Sequence, residues 1–189
     1  MVGVGYIGQI AHLANYVEIE GCEVAAIAEI RPGLRDAVAA HYGIPQTFPS
    51  HRELLDNAEV DAVIAVTRRH HTGPVALDCL KAGRHLLTEK PMAATLECAE
   101  TLAEAAKSAR VQYAIGYMKR HDEGVQLAKE LIEGFMASGE LGPLTLAHFY
   151  CFQGHSFYEL DTPVGLDEDR PEGLKSWAVA PDWLPRELH

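Results

Sequence analysis

Short apolar runs alternate with helical patterns from Gly3 to about Gly116, the signature of a parallel sheet wrapped by helices. The candidate strands are Glu23 to Ala28, Val60 to Val66, His85 to Thr88 and Val111 to Gly116. The helices between them carry their own punctuation. Pro32 suits a first helical turn and Gly43 a C-terminal cap. Ser50 and Glu53 form a capping box ahead of Leu54 and Leu55, and Gly83 closes a helix from Gly73 to Ala82. Thr95 caps a helix through Ala109, whose Leu96, Ala99, Leu102, Ala103 and Ala106 make one apolar stripe assigned to the core.

The pattern changes after Gly116. Asp122 caps a helix with Val125, Ala128, Leu131, Ile132 and Phe135 on one face, ending near Gly139. Pro143 to Phe152 alternates Leu144, Leu146, His148 and Tyr150 against Thr145, Ala147, Phe149 and Cys151, which predicts an extended segment with a buried face. From Asp161 onward the chain is rich in Pro, Asp and Glu, with Trp177 and Trp183 as its only large anchors.

Composition narrows the class. Hydrophobic residues make up 48% and charged residues 23% of 189, enough for a packed core. Lys and Arg number 16 against 27 Asp and Glu, a formal charge of -11, which argues against nucleic acid and anionic membranes as partners. No apolar run is long enough to span a bilayer, and Met1 is followed by a glycine-rich turn instead of a signal core, so the expectation is a cytoplasmic protein. Cys22, Cys79, Cys98 and Cys151 show no CxxC or CxxH spacing and are read as free thiols.

Two motifs carry chemistry. Gly3-Val4-Gly5-Tyr6-Ile7-Gly8 is a GxGxxG, in which the glycines permit a tight turn, close approach of a pyrophosphate and close helix packing. Glu29 follows 21 residues after Gly8 at the end of the next strand, where an acid binds the adenine-ribose hydroxyls of NAD and repels the 2'-phosphate of NADP. Arg31 and Arg35 are nearby counterweights to that repulsion, and NAD is favoured over NADP. The second motif is Glu89-Lys90-Pro91, directly after a short strand. Pro91 biases Lys90 toward an extended backbone, and partial burial there would tune the amine for acid or base work.

The order of these features resembles the glucose-fructose oxidoreductase and inositol dehydrogenase family (Gfo/Idh/MocA). The match runs through GVGYIG, Glu29, VDAVIAVT, ALDCLKAGRHLLTEKPM, IGYMKRHDEGV and GELGPL, covering residues 1 to about 150. The resemblance implies a Rossmann-type doubly wound α/β domain over 1–117, followed by an incomplete α+β domain over 118–189. It implies NAD(P)-dependent hydride transfer to or from a secondary hydroxyl of a sugar, cyclitol or related compound. Lys90 is placed beside the nicotinamide and the reacting hydroxyl. Cofactor contacts fall to Gly3, Gly5, Tyr6, Ile7, Gly8, Glu29, Arg31, Thr67, Glu89 and Lys90, and substrate contacts to Arg69, His71, Tyr117, Lys119, Arg120 and His121. A homo-oligomer is expected of the full-length protein.

Three departures from the family pattern stand out. The glycine motif begins two residues after Met1, so the first strand is almost missing. No DxxxH occurs among the 10 histidines, where the family supplies an acid-base histidine. The chain is therefore read as part of a longer protein or a truncated gene product, with a naturally minimal member using another acid-base group as the alternative; for function the alternatives are a non-catalytic nucleotide-binding module or an inactive fragment. After Val66 comes a loop reading Thr67-Arg68-Arg69-His70-His71-Thr72, and no metal site is assigned to its adjacent histidines. Its cations, with Lys119, Arg120 and His121, raise the expectation of an anionic substrate.

Overall fold

The computed structural model describes residues 1–150 and 161–165. The expectations for Cys151, Phe152, Trp177 and Trp183 lie outside the described residues. The described chain divides into two compact units, residues 1–116 with 161–165, and residues 117–150.

The first unit is built on parallel strands. β1 (Ala26–Ala28) pairs with β2 (Gln46–Phe48), and β3 (Ala62–Ala65), β4 (His85–Thr88) and β5 (Tyr113–Ile115) pair in that order. Val2 bridges both groups, in parallel with Ala28 on one side and Ala65 on the other. Val2 thus holds the central place between β1 and β3. The three-residue β2 has no counterpart in the hydrophobic pattern, because Gln46 and Thr47 are both exposed.

Helices cover both faces. A wide π-wound stretch, Gly8–Leu13, runs into α1 (Ala14–Tyr16), and α2 (Pro32–Tyr42) ends on Gly43 at φ +68 as its C-cap. Leu13 with Leu34 and Val38 of α2 packs with Ile27 and Val4 into one core. α3 (His51–Asn57), α4 (Arg69–Lys81) and α5 (Leu96–Ala109) enclose the other, where Leu54, Cys79, Leu80 and Leu102 meet Ala28, Val63 and Ala65. Successive strand residues feed opposite cores, Ile27 one and Ala26 and Ala28 the other, as a sheet buried on both faces requires. This is the doubly wound arrangement expected.

Local chemistry explains most boundaries. Ser50 Oγ accepts from Glu53 N–H at 3.2 Å to open α3, and Thr95 Oγ1 accepts from Cys98 N–H at 3.3 Å to open α5. Two expectations need correction. α4 starts at Arg69 instead of Gly73, so Pro74 sits inside the helix, and the TRRHH segment is its cap and first turn instead of a loop. On α5 the buried line is Leu102 and Ala106, with Cys98, Ala105 and Ala109 half-buried; Leu96 is 70% exposed and Ala103 is exposed.

In the second unit, a 3-10 turn at Met118–His121 leads to α6 (Glu123–Ser138). Asp122 Oδ1 accepts from the N–H groups of Gly124 and Val125, and Gly139 at φ +66 closes the helix, as its sequence required. Beyond it the expected half-buried strand does not form among the described residues. Leu144, Leu146, Phe149 and Tyr150 are all exposed, because residues 143–150 take no ladder partner.

Candidate functional site

The glycine motif is fixed by space. Gly3 has φ +83, and a Cβ there would overlap the Val66 carbonyl oxygen; a Cβ on Gly8 would come within 2.6 Å of the Gly3 carbonyl oxygen. Only glycine fits either position. The chain turns through Gly5 and enters helix at Tyr6 and Ile7, leaving a helix N-terminus above the turn, the arrangement that suits a pyrophosphate.

Glu29 follows β1 and is 5% exposed, beside Arg31 at 4%. Its Oε1 accepts from Arg31 Nε at 2.8 Å and from Arg31 N–H at 3.3 Å, and its Oε2 from Val4 N–H at 3.1 Å. Burial pushes the carboxyl up, but the Arg31 hydrogen bond, the Val4 amide and the Arg31 charge outweigh it and hold Glu29 below the usual carboxylate range. Arg35 Nη1 donates to the Glu29 carbonyl oxygen at 3.4 Å and its Nε to Asp36. Both arginines considered as counterweights for a 2'-phosphate thus have carboxylate partners, Arg31 in Glu29 and Arg35 in Asp36.

A cavity of about 290 Å³ opens beyond the ends of β1, β2 and β3. Gly3, Gly5, Glu29 and Arg31 line one side, and Thr67, Arg68 and His71 another. Ser50, His51 and Arg52 come from the start of α3. Asp78 Oδ2 accepts from Arg52 Nε at 2.9 Å and bonds His51 Nε2 at 3.0 Å; burial raises its carboxyl, but these two partners bring it below the ordinary value. Thr67 Oγ1 and Thr72 Oγ1 lie 3.0 Å apart and fasten the loop to α4. The His70 and His71 rings meet edge-on at 4.0 Å; burial, then His71 and Arg68, hold His70 below the usual imidazole range. Arg69 is exposed and does not line the cavity, whereas His71, grouped with it by sequence, does.

Glu89 and Lys90 follow β4 at the same C-terminal edge. Glu89 Oε2 accepts from Lys90 N–H at 3.1 Å, and Gly116, after β5, donates its N–H to the Thr88 carbonyl oxygen at 2.8 Å. Lys90 is exposed, not partly buried as expected, because it stands past Thr88, the last paired residue of β4. Sequence reasoning missed His12, whose Nε2 lies 2.8 Å from Glu89 Oε1. It also missed Gln9, fully buried, whose Nε2 donates to the carbonyl oxygens of Val4 and Val164 and whose Oε1 accepts from Val164 N–H.

The remaining predicted residues belong to the second unit. Tyr117 is 43% exposed and precedes the Met118–His121 turn. Within that turn Lys119 Nζ pairs with Asp122 Oδ2 at 3.1 Å, Arg120 N–H donates to the Tyr117 carbonyl oxygen, and His121 is exposed.

Residues 1–117 match the model of the oxidoreductase family with an NAD-binding Rossmann fold, GFO_IDH_MocA. The chain belongs to the Gfo/Idh/MocA family. Among this family's curated members, inositol 2-dehydrogenase of Salmonella typhimurium is 29% identical over 172 residues, 89% of this chain and 49% of the relative. The structure of scyllo-inositol dehydrogenase from Lactobacillus casei with bound NAD(H) and scyllo-inositol superposes with a TM-score of 0.66 at 26% identity, over 71% of this chain and 40% of the other. The WlbA dehydrogenase of Bordetella pertussis, in complex with NADH and UDP-GlcNAcA, gives 0.65 at 28% identity over 71% and 38%. The chain spans about half the length of the curated relatives it matches. The glycine cradle, with no room for a Cβ at Gly3 or Gly8, and the carboxylate at the end of β1 fit the NAD that the family binds.

Proposed function

We propose that the protein, in its full-length form, is an NAD-dependent dehydrogenase acting on a secondary hydroxyl of a sugar or cyclitol. The observation that carries the reading is the shared C-terminal edge of one sheet, which holds the GxGxxG turn, Glu29 and the EKP lysine. The chemistry supplied by a bound nicotinamide is acceptance of hydride from the carbinol carbon, or its return.

The chain's own residues divide the remaining work. The turn from Gly3 to Gly8 receives the pyrophosphate at a helix N-terminus. Glu29 takes the adenine-ribose hydroxyls, and because Arg31 and Arg35 already pair with carboxylates, a 2'-phosphate would meet the Glu29 carboxylate against partly neutralised cations. This supports NAD over NADP. Thr67, Arg68 and His71 form the facing wall of the nucleotide cleft, so Arg68 of the TRRHH segment is spent at the cofactor's end, and the case for an anionic substrate weakens accordingly. Lys90 holds the reacting hydroxyl, takes its proton as hydride leaves the carbinol carbon and releases that proton to water at its exposed position, while Tyr117, Lys119, Arg120 and His121 supply substrate contacts. We place the boundary between nucleotide-binding and substrate domains at residue 117, and propose a homo-oligomer for the full-length protein.

The test is NADH titration by fluorescence, followed by NADH formation with myo-inositol, scyllo-inositol and simple aldoses. Lys90→Ala is expected to cut turnover by roughly a hundred- to ten-thousand-fold, as for a positioned acid or base, with NADH affinity nearly unchanged. Binding without turnover by the full-length wild type would favour a non-catalytic nucleotide module, and wild-type turnover in the mutant would remove Lys90 from the mechanism.

A further inference from the structure

We propose that His12 is a positioning residue for Lys90, acting through the Glu89 carboxylate. This rests on the reading of Lys90 as the group beside the reacting hydroxyl. Both oxygens of Glu89 are engaged: Oε1 with His12 Nε2 at 2.8 Å, and Oε2 with the Lys90 N–H at 3.1 Å. The pair is not a surface ornament, since the side chains are 10% and 22% exposed for His12 and Glu89. Tyr16 backs the imidazole, its ring stacked at 6.0 Å and 19°. On another side stands Gly116, where an added Cβ would lie 3.6 Å from Glu89 Oε1.

Packing alone does not account for a histidine at this place. A buried imidazole loses hydration that an apolar ring would not, and it recovers that loss only through a hydrogen-bond partner. The backbone is arranged to make the contact. Ala14 N–H bonds the Gln9 carbonyl oxygen five residues back, so the Gly8–Leu13 stretch carries one residue more than an α-turn. One residue is about 100° of rotation in a helix of 3.6 residues per turn. Wide turns of this kind concentrate at functional sites.

The consequence for Lys90 follows from what Glu89 would otherwise do. A glutamate next to a lysine on an open edge is free to take the lysine's own ammonium. With one oxygen held by His12 and the other by the Lys90 backbone N–H, the carboxylate is fixed in one orientation and is not free to swing onto the ammonium, so the lysine side chain stays available to a substrate hydroxyl. His12 thus works on geometry and availability, with no contact to the reacting atoms.

The experiment uses the full-length protein and compares His12→Phe, which keeps a ring against Tyr16, with His12→Gln, which keeps a donor for Glu89. Thermal stability and NADH affinity are controls. The activity-independent readout is the rate of reductive methylation of Lys90, measured by mass spectrometry against Lys81, Lys107 and Lys129. In His12→Phe the released Glu89 should pair with Lys90 and slow its methylation roughly fivefold, the effect of an opposite charge about 4 Å away in a water-like dielectric. Adding Glu89→Gln should restore the rate, and His12→Gln should keep it within about twofold of wild type, since its amide still occupies the carboxylate. With a polyol substrate, His12→Phe should lower kcat by up to about a hundredfold, as for a displaced catalytic group, with KM little changed. Should His12→Phe not fold, His12→Asn, too short to reach Glu89, takes its place. An unchanged Lys90 labelling rate in a folded His12→Phe or His12→Asn protein, or no restoration by Glu89→Gln, overturns the proposal. A wild type without turnover counts against the dehydrogenase reading alone, because the labelling series still decides the role of His12.

Discussion

Glu29 balances buried Arg31 and ties the Val4 amide of the glycine turn, so in the proposed cofactor role its removal would be a structural injury as well as a functional one. Glu29→Gln should weaken NADH binding by about 1 to 3 kcal/mol, the range for hydrogen bonds to charged groups, read by fluorescence titration. The same residue sets an acid limb. Its folded pKa lies below the unfolded one, so the unfolded chain takes the proton more readily. The stabilisation is complete above the ordinary glutamate value of about 4.3 and is lost as pH falls through the folded value. Asp78 behaves in the same direction. Melting temperature followed from about pH 6 to about pH 3 should therefore fall in the wild type and fall less steeply in Glu29→Gln; equal slopes would refute the assignment. The glycine turn was legible in the sequence because its close backbone approach at Gly3 and Gly8 demands glycine at fixed spacing. His12 was not, since its partner Glu89 is 77 positions away and a lone helical histidine carries no spacing signal. Its one trace was a polar ring beside the buried Leu13.

Element ends were easier to read than element faces. Ser50, Thr95, Asp122, Gly43 and Gly139 cap where their side chains or left-handed backbones demand, because capping is a local bargain between a residue and its next three neighbours. The start of α4 was misplaced because Pro74 suits a first turn, yet the helix runs back to Arg69 past it. β2 left no pattern at all, being three residues held by pairing with β1 instead of by burial. Of the α5 stripe, Leu102 and Ala106 are buried and Ala99 half-buried as assigned, whereas Leu96 and Ala103 face outward. On this helix the two kinds of determinant can be compared. Thr95→Ala should cost about 1 kcal/mol as a lost cap, and Leu102→Ala about 2 to 5 kcal/mol as a core cavity, both read by denaturant unfolding. A reversed order would mean that the cap, not the core, holds α5.

Across the whole molecule, the apolar face of α6 was correctly listed, but its burial does not follow: Val125, Leu131, Ile132 and Phe135 are 38 to 53% exposed. An apolar strip of this kind favours association. The 189-residue chain should self-associate with rising concentration in sedimentation velocity, and Leu131→Glu with Phe135→Glu should reduce it; a monomer at every concentration would dismiss the idea. No helix among the described residues is long and apolar enough to cross a membrane. The bridge at Val2 has a different kind of importance. Backbone amide hydrogen bonds from Val2 to Ile64, Val66 to Val2, Gly3 to Ala28 and Ala28 to Met1, with the Met1 amine on the Ala26 carbonyl oxygen, form the seam between the β1–β2 half and the β3–β4–β5 half. The nucleotide cleft draws Glu29, Arg31 and Ser50 from one half and Thr67, Arg68 and His71 from the other. A dinucleotide bound there is thus a brace across the sheet's narrowest join. Saturation at about a hundred times Kd adds about 2.7 kcal/mol to whatever opening it must precede. Amide exchange at Val2, Gly3, Ala28 and Val66 should slow on adding NADH more than exchange within β4, and the cofactor would then act as a clasp between the two halves of the sheet.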